Sequence, residues 1–142
     1  MPLLSPADQD KLRAAFDEMT SPVRVLFFTQ TLDCETCLQT RQILDELPPL
    51  SSRIAIEEVN FVLEKDKAAQ YGIDRVPAIA LVGGESDSRI RFLGAPSGYE
   101  FVSLVQAVLL VGGRGSNLTD EHRTRLAAVD KPMTMQVFTT PT

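Results

Sequence analysis

The chain has 142 residues, 44% hydrophobic and 23% charged, enough for one ordinary core and with no compositional sign of disorder. Its formal charge of −5 argues against nucleic acid and against an anionic membrane surface, because both need clustered Lys and Arg. Proteins and small thiols are the expected partners.

At the start, Ser5-Pro6-Ala7-Asp8 supplies an N-cap, a proline at the first helical position and an early acid. Leu12, Ala15, Phe16 and Met19 follow on one face, so an amphipathic helix is predicted over 6–19. The N-terminus has neither a basic opening nor a long apolar region, and it becomes charged almost at once. The longest apolar stretch, 102–111, is broken by Ser103 and Gln106 and is too short to span a bilayer. A soluble, cytoplasmic protein without membrane attachment is therefore expected.

Residues 23–29 are β-branched and aromatic with almost no polar interruption, which suits a strand buried on both faces in the middle of a sheet. A short polar link then leads to Cys34-Glu35-Thr36-Cys37. Apolar residues recur at helical spacing to Leu47 and Pro48-Pro49 ends the run, predicting a helix over 34–46 with both cysteines in its first turn. Unpaired backbone N–H groups at a helix start stabilise a thiolate, making Cys34 the candidate nucleophile and Cys37 the resolving thiol. A bridge between them closes a loop too small to restrict the unfolded chain much, so the pair reads as chemistry rather than as a staple.

Further on, a strand is predicted over 54–61 and a short helix over 65–71 ended by Gly72, giving a parallel strand pair with a helical crossover. Strands over 78–82 and 89–93 flank the polar link 83–88 and should pair antiparallel. A helix over 98–110 places Phe101, Leu104, Val105 and Val108 on one face. Phe27, Phe28, Phe61 and Phe92 read as core. The order is αβαβαββα. Residues 112–117 read as a glycine-rich hinge, Thr119 caps a polar helix to about 129, and 133–139 reads as one more strand.

Val76-Pro77 directly precedes an apolar strand, where a proline removes a ladder donor. A trans proline starting the strand accounts for it. So does a cis bond that holds the edge open, leaving the Val76 N–H and C=O to pair with an extended substrate peptide.

A metal reading of the cysteines is poorly supported. Structural zinc needs four ligands, and besides Cys34 and Cys37 only His122 is available, on a distant polar helix. A cluster shared by two subunits would need a dimer that the sequence does not announce. No metal or other cofactor is expected. As proton acceptor for Cys37 the candidates are Glu57 and Glu58, of which only one can face the thiols because neighbouring strand residues point to opposite faces. Solvated carboxylates are the simpler reading of both.

Cys34-Glu35-Thr36-Cys37 after a buried strand, Tyr71-Gly72-Ile73 with Val76-Pro77, and Gly94 after the last strand resemble the thioredoxin fold. The helical start, Phe28 where thioredoxins usually bury an aspartate, and the run Arg91-Phe92-Leu93-Gly94-Ala95-Pro96-Ser97-Gly98-Tyr99-Glu100-Phe101 narrow it. They resemble the N-terminal unit of the glutaredoxin-like protein disulfide oxidoreductases, which carry two thioredoxin-fold units in tandem. The resemblance implies an α/β fold with a central mixed four-stranded sheet flanked by helices and an extra N-terminal helix. It also implies a cis Val76-Pro77 bond, a substrate groove bordered by Val76, Pro77 and Gly94, and a Cys34/Cys37 redox pair.

It divides the chain into a thioredoxin-fold unit, 1–111, and a linker, helix and first strand of a missing or truncated second unit, 112–142. Val137-Phe138-Thr139-Thr140-Pro141-Thr142 resembles the strand that leads into a second CxxC in that family. An unpaired strand there is a pairing hazard, so self-association through it is expected. The implied activity is thiol–disulfide exchange with protein disulfide or dithiol substrates, with a thioredoxin-reductase-like flavoenzyme as a further partner. The alternative is a docking or electron-relay module of a larger redox system, its CxxC regulatory or vestigial. Asp33 and Glu35 depart from the family's usual motif and oppose thiolate formation at Cys34, where one pKa unit corresponds to about 1.4 kcal/mol. A reducing or weakly poised dithiol is expected rather than a strong oxidant.

Overall fold

The computed structural model describes residues 2–140. The apolar run becomes β1 (Val23–Thr29), which pairs in parallel with β2 (Ile54–Asn60) and antiparallel with β3 (Ala78–Gly83); β3 then pairs antiparallel with β4 (Ser86–Leu93). The sheet order is β2-β1-β3-β4. Around it lie α1 (Pro6–Phe16), α2 (Cys37–Leu44), α3 (Lys65–Gln70) and α4 (Tyr99–Val111), in the expected sequence of elements. A further helix, α5 (Asp120–Ala127), follows.

Alternation along the strands divides the core into two layers. Val23, Val25 and Phe27 face one side, where they meet Phe16 of α1, Leu44 of α2 and Leu104 and Val108 of α4. Leu26 and Phe28 face the other, with Val59, Ala68 of α3, Ile73 and Ala78. Burying a side chain of this size contributes about 1.5–3 kcal/mol, so β1 is anchored from both faces and cannot slip by one residue without exposing one layer.

Several boundaries differ from expectation. Helix α1 ends at Phe16 rather than 19, because Glu18 and Met19 bond three residues back, to Ala15 and Phe16, and this tighter turn swings Met19 into the core. In the same way Glu46 and Leu47 bond back to Ile43 and Leu44, closing α2 before a 3-10 turn at Pro48–Leu50. The link 83–88 shrinks to a tight hairpin turn at Gly84-Glu85, since Gly83 already pairs with Ser86. Between the Ala80–Arg91 and Val82–Asp87 pairs the ladder shifts, leaving residues 88–90 opposite Leu81 in a bulge.

The hinge expected at 112–117 starts later. The Gly112 carbonyl accepts the N–H groups of Thr20 and Ser21 at 2.9 and 3.0 Å, and the Arg114 N–H returns to Leu109 at 3.0 Å. Gly113 has φ +101°, and a Cβ there would lie 2.2 Å from Thr20 Oγ1. Gly113→Ala combines a left-handed backbone with a steric clash and is expected to cost about 2 kcal/mol or more, read as a lowered urea midpoint.

Beyond Arg114 the chain leaves the core. Helix α5 is capped by Thr119, whose hydroxyl accepts the His122 N–H, but it buries no residue. The strand expected over 133–139 does not form among the described residues, where 132–140 carry no ladder. Its composition favours a pleated, half-buried surface, and no partner strand lies beside it. Pro141 and Thr142 of the run singled out above lie outside the described residues. No helix among the described residues is long and apolar enough to cross a membrane.

Candidate active site

Strand polarity brings four loops together. β1 and β2 run in parallel and end side by side at Thr29 and Asn60; β3 starts at Ala78 opposite Phe28, and β4 ends at Leu93 opposite Ala78. The segments 30–37, 61–64, 76–77 and 94–98 therefore leave the same end of the sheet.

In the first of them, Gln30 Nε2 donates to the carbonyls of Leu32 at 2.8 Å and Asp33 at 3.3 Å, and Asp33 takes a left-handed backbone, φ +54°. That folded loop delivers Cys34 ahead of the helix. Only Cys37 is the first residue of α2, whereas a helix opening at Cys34 was expected. The reason is that Thr36, with φ −110° and ψ 6°, is the half-helical flanking residue, and 35–36 form a turn. Cys34 and Cys37 are joined in a disulfide with Cα atoms 5.5 Å apart. Cys37 is 5% exposed and Cys34 is only half-buried, so an incoming reagent meets Cys34 first. One turn further, Thr40 is the single fully buried polar side chain among the described residues, its hydroxyl satisfied by the Thr36 carbonyl at 2.8 Å.

Across the gap the Val76-Pro77 bond is cis. The Val76 N–H and C=O take no hydrogen bond among the described residues. Gly94 donates its N–H to the Pro77 carbonyl at 2.9 Å, which fastens the ends of β3 and β4 into one rim. With φ +90°, Gly94 needs to be glycine for its backbone, and nothing lies within 4 Å of where its Cβ would be. The structure thus gathers Cys34, Cys37, Val76, Pro77 and Gly94 at one end of the sheet.

Sequence reasoning missed two supports. One is the Gln30 clamp. The other is Arg91, which donates to the Tyr71 carbonyl at 3.1 Å, sits 5.7 Å from the Tyr71 ring centre, and pairs with Asp87 at 2.6 Å. It ties the segment leading to Val76 onto β4. Nothing in an arginine on an alternating strand signals such a role.

The two acids considered as proton acceptors separate by face. Ile54 and Ile56 belong to the layer shared with α2, so Glu58 lies on that side and Glu57 on the other with Val59. Glu58 pairs with Arg41 of α2 at 3.1 Å. Glu57 is held by Lys67 and by Arg24, and hydrogen bonds first from Lys67 and then from Arg24 bring its carboxyl below the ordinary value of 4.5. Both carboxylates are thus already engaged by cations, Glu57 by two and Glu58 by one. Because Glu57 binds its proton more weakly folded than unfolded, its contribution is present above about pH 4.5 and lost as pH falls through the folded value. Glu57→Gln is expected to lower stability near neutrality by under about 1 kcal/mol and to flatten the acid limb of a urea-melt series, the pair being partly exposed. His122 lies exposed on α5, away from the core.

A disulfide at the end of the central strand of this mixed sheet, on the same end as Pro77 and Gly94, defines a thioredoxin-fold thiol–disulfide oxidoreductase unit. No protein-family model matches the chain. The probable thioredoxin of Methanothermobacter thermautotrophicus is 32% identical over 73 residues, which is 51% of this chain and 80% of that protein. The chain belongs to the thioredoxin family.

Two solved structures extend the likeness over most of the chain. The N-terminal domain of alkylhydroperoxide reductase AhpF from Enterococcus faecalis superposes with TM-score 0.82 at 29% identity, over 90% of this chain and 62% of that one. A protein disulfide oxidoreductase from Aeropyrum pernix gives TM-score 0.74 at 27% identity, over 87% and 54%. The chain also spans 22% of an alkyl hydroperoxide reductase component of Escherichia coli and 12% of an NADH dehydrogenase of Ferdinandcohnia aciditolerans.

Proposed function

We propose that the chain exchanges disulfides with protein partners as the dithiol relay of a larger, cytoplasmic redox system. The observation that carries this is the exposure difference within the pair: half-buried Cys34 is open to attack, and Cys37 waits behind it, already close enough to close the bridge. Cys34 as thiolate attacks a partner disulfide and releases one partner thiol; Cys37 then attacks Cys34 Sγ, re-forming the bridge and releasing the second. The unpaired Val76 backbone offers an extended peptide two hydrogen bonds beside the sulfurs, with Pro77 and Gly94 as the rim.

The E. faecalis and E. coli relatives are parts of alkyl hydroperoxide reductase, and this supports a flavoenzyme reductant feeding electrons through Cys34. Reduction of insulin by the dithiol form tests the activity. Precipitation of insulin chains well above the dithiothreitol background is expected, and a rate equal to that background overturns the reading.

In this reading residues 115–142 connect to a second unit and add little to the first, which is supported by the lack of any buried residue in α5. Truncation after Gly115 is then expected to shift stability by less than about 0.5 kcal/mol and to leave insulin reduction unchanged. The exposed segment 133–139, with Phe138 89% exposed, is expected to pair between copies at high concentration, detected as slowed hydrogen exchange confined to it.

A further inference from the structure

We propose that Asp33 and Glu35 are specificity-determining residues that select partner disulfides flanked by lysine or arginine and disfavour anionic ones. The proposal rests on the exchange reading above and names its substrate class.

The two carboxylates flank Cys34 directly in the chain, and both side chains are exposed. Neither has an ion-pair partner among the described residues. The cations at this end of the sheet are mostly neutralised: Arg41 by Glu58 and Asp45, Lys67 by Glu57, Arg75 by Asp74. Lys65 remains, beside Glu64 and Asp66 at the start of α3. The start of the eight-residue α2 contributes about half a positive charge, less than two full carboxylates. The Gln30 clamp fixes the backbone at Leu32 and Asp33, and both acids are chain neighbours of Cys34, whose sulfur an incoming disulfide must reach.

A unit charge about 6 Å from the reacting sulfur, in water and at low salt, changes an encounter by roughly threefold. Two acids acting with opposite sign on cationic and anionic reagents should separate their rates by about tenfold or more.

The test oxidises the dithiol protein with three disulfides: cystamine (cationic), 2-hydroxyethyl disulfide (neutral) and 3,3′-dithiodipropionate (anionic). In each case the Cys34 thiolate attacks RS–SR, one RS⁻ leaves and takes up a proton, and Cys37 gives its proton to solvent and displaces the second. Two electrons pass from the protein dithiol to RSSR, yielding two RSH. Rates are read by acid quenching, alkylation and intact mass at rising ionic strength.

The cystamine rate is expected to fall with salt, the dithiodipropionate rate to rise, and the neutral rate to stay level. In Asp33→Asn/Glu35→Gln both slopes should flatten and the cationic-to-anionic ratio should drop by about tenfold or more at low salt. Asparagine tolerates the left-handed backbone at position 33, so the loop is retained. Changed thiol acidity moves all three rates together and cancels in the ratio. Opposite slopes that persist in the double variant, or slopes absent in the wild type, overturn the proposal. Failure of all three reagents to oxidise the protein overturns the exchange reading instead.

Discussion

Cys34→Ser is expected to abolish insulin reduction, whereas Cys37→Ser is expected to retain a reactive thiol and accumulate a mixed disulfide with its substrate. The expectation comes from the unequal burial of the two sulfurs, one half-open and the other 5% exposed behind it. Removing the exposed sulfur removes the bond-forming atom, so the rate drops to that of the small-molecule reductant alone. Removing the buried one leaves the first attack intact and deletes the second, so the intermediate has no intramolecular exit. Intact mass measurement reads the adduct directly, as a species that dithiothreitol reverses. Faster alkylation of Cys37 than of Cys34 in the reduced protein would reverse the two roles.

Phe28→Ala is expected to remove about 3–5 kcal/mol of stability, a large share of the roughly 5–15 kcal/mol typical of a domain. Phe28 is fully buried in the layer under α3, tilted against Tyr71 with ring centres 6.1 Å apart and enclosed by Leu26, Val59 and Ala78. The strands that frame it are hydrogen-bonded on both sides of β1, so the void cannot collapse cheaply. Urea unfolding should show a much lower midpoint at unchanged slope. A loss below about 1 kcal/mol would mean that the layer repacks, contrary to its density.

The period-two and period-3.6 patterns determined the sheet, the four helices around it and the parallel-then-antiparallel pairing, because burial at 23–29 and 78–82 is a local property of side chains. The two cysteines and Val76-Pro77 were legible for a similar reason: their chemistry is written in residue type and spacing. Where elements stop was less legible. Helix α1 closes at Phe16 and α2 opens at Cys37 through single backbone bonds and one flanking residue, features that several sequences could satisfy equally. Gly112 and Gly113 read as a hinge, yet they are pinned against Thr20 and Ser21, about ninety residues away in the chain, which no local window could reveal. The choice between Glu57 and Glu58 needed the face on which α2 packs. The residues 133–139 have the composition of a strand, but a strand exists only against a partner. Tertiary structure decided these points because each depends on what stands opposite, and a sequence records only what stands beside.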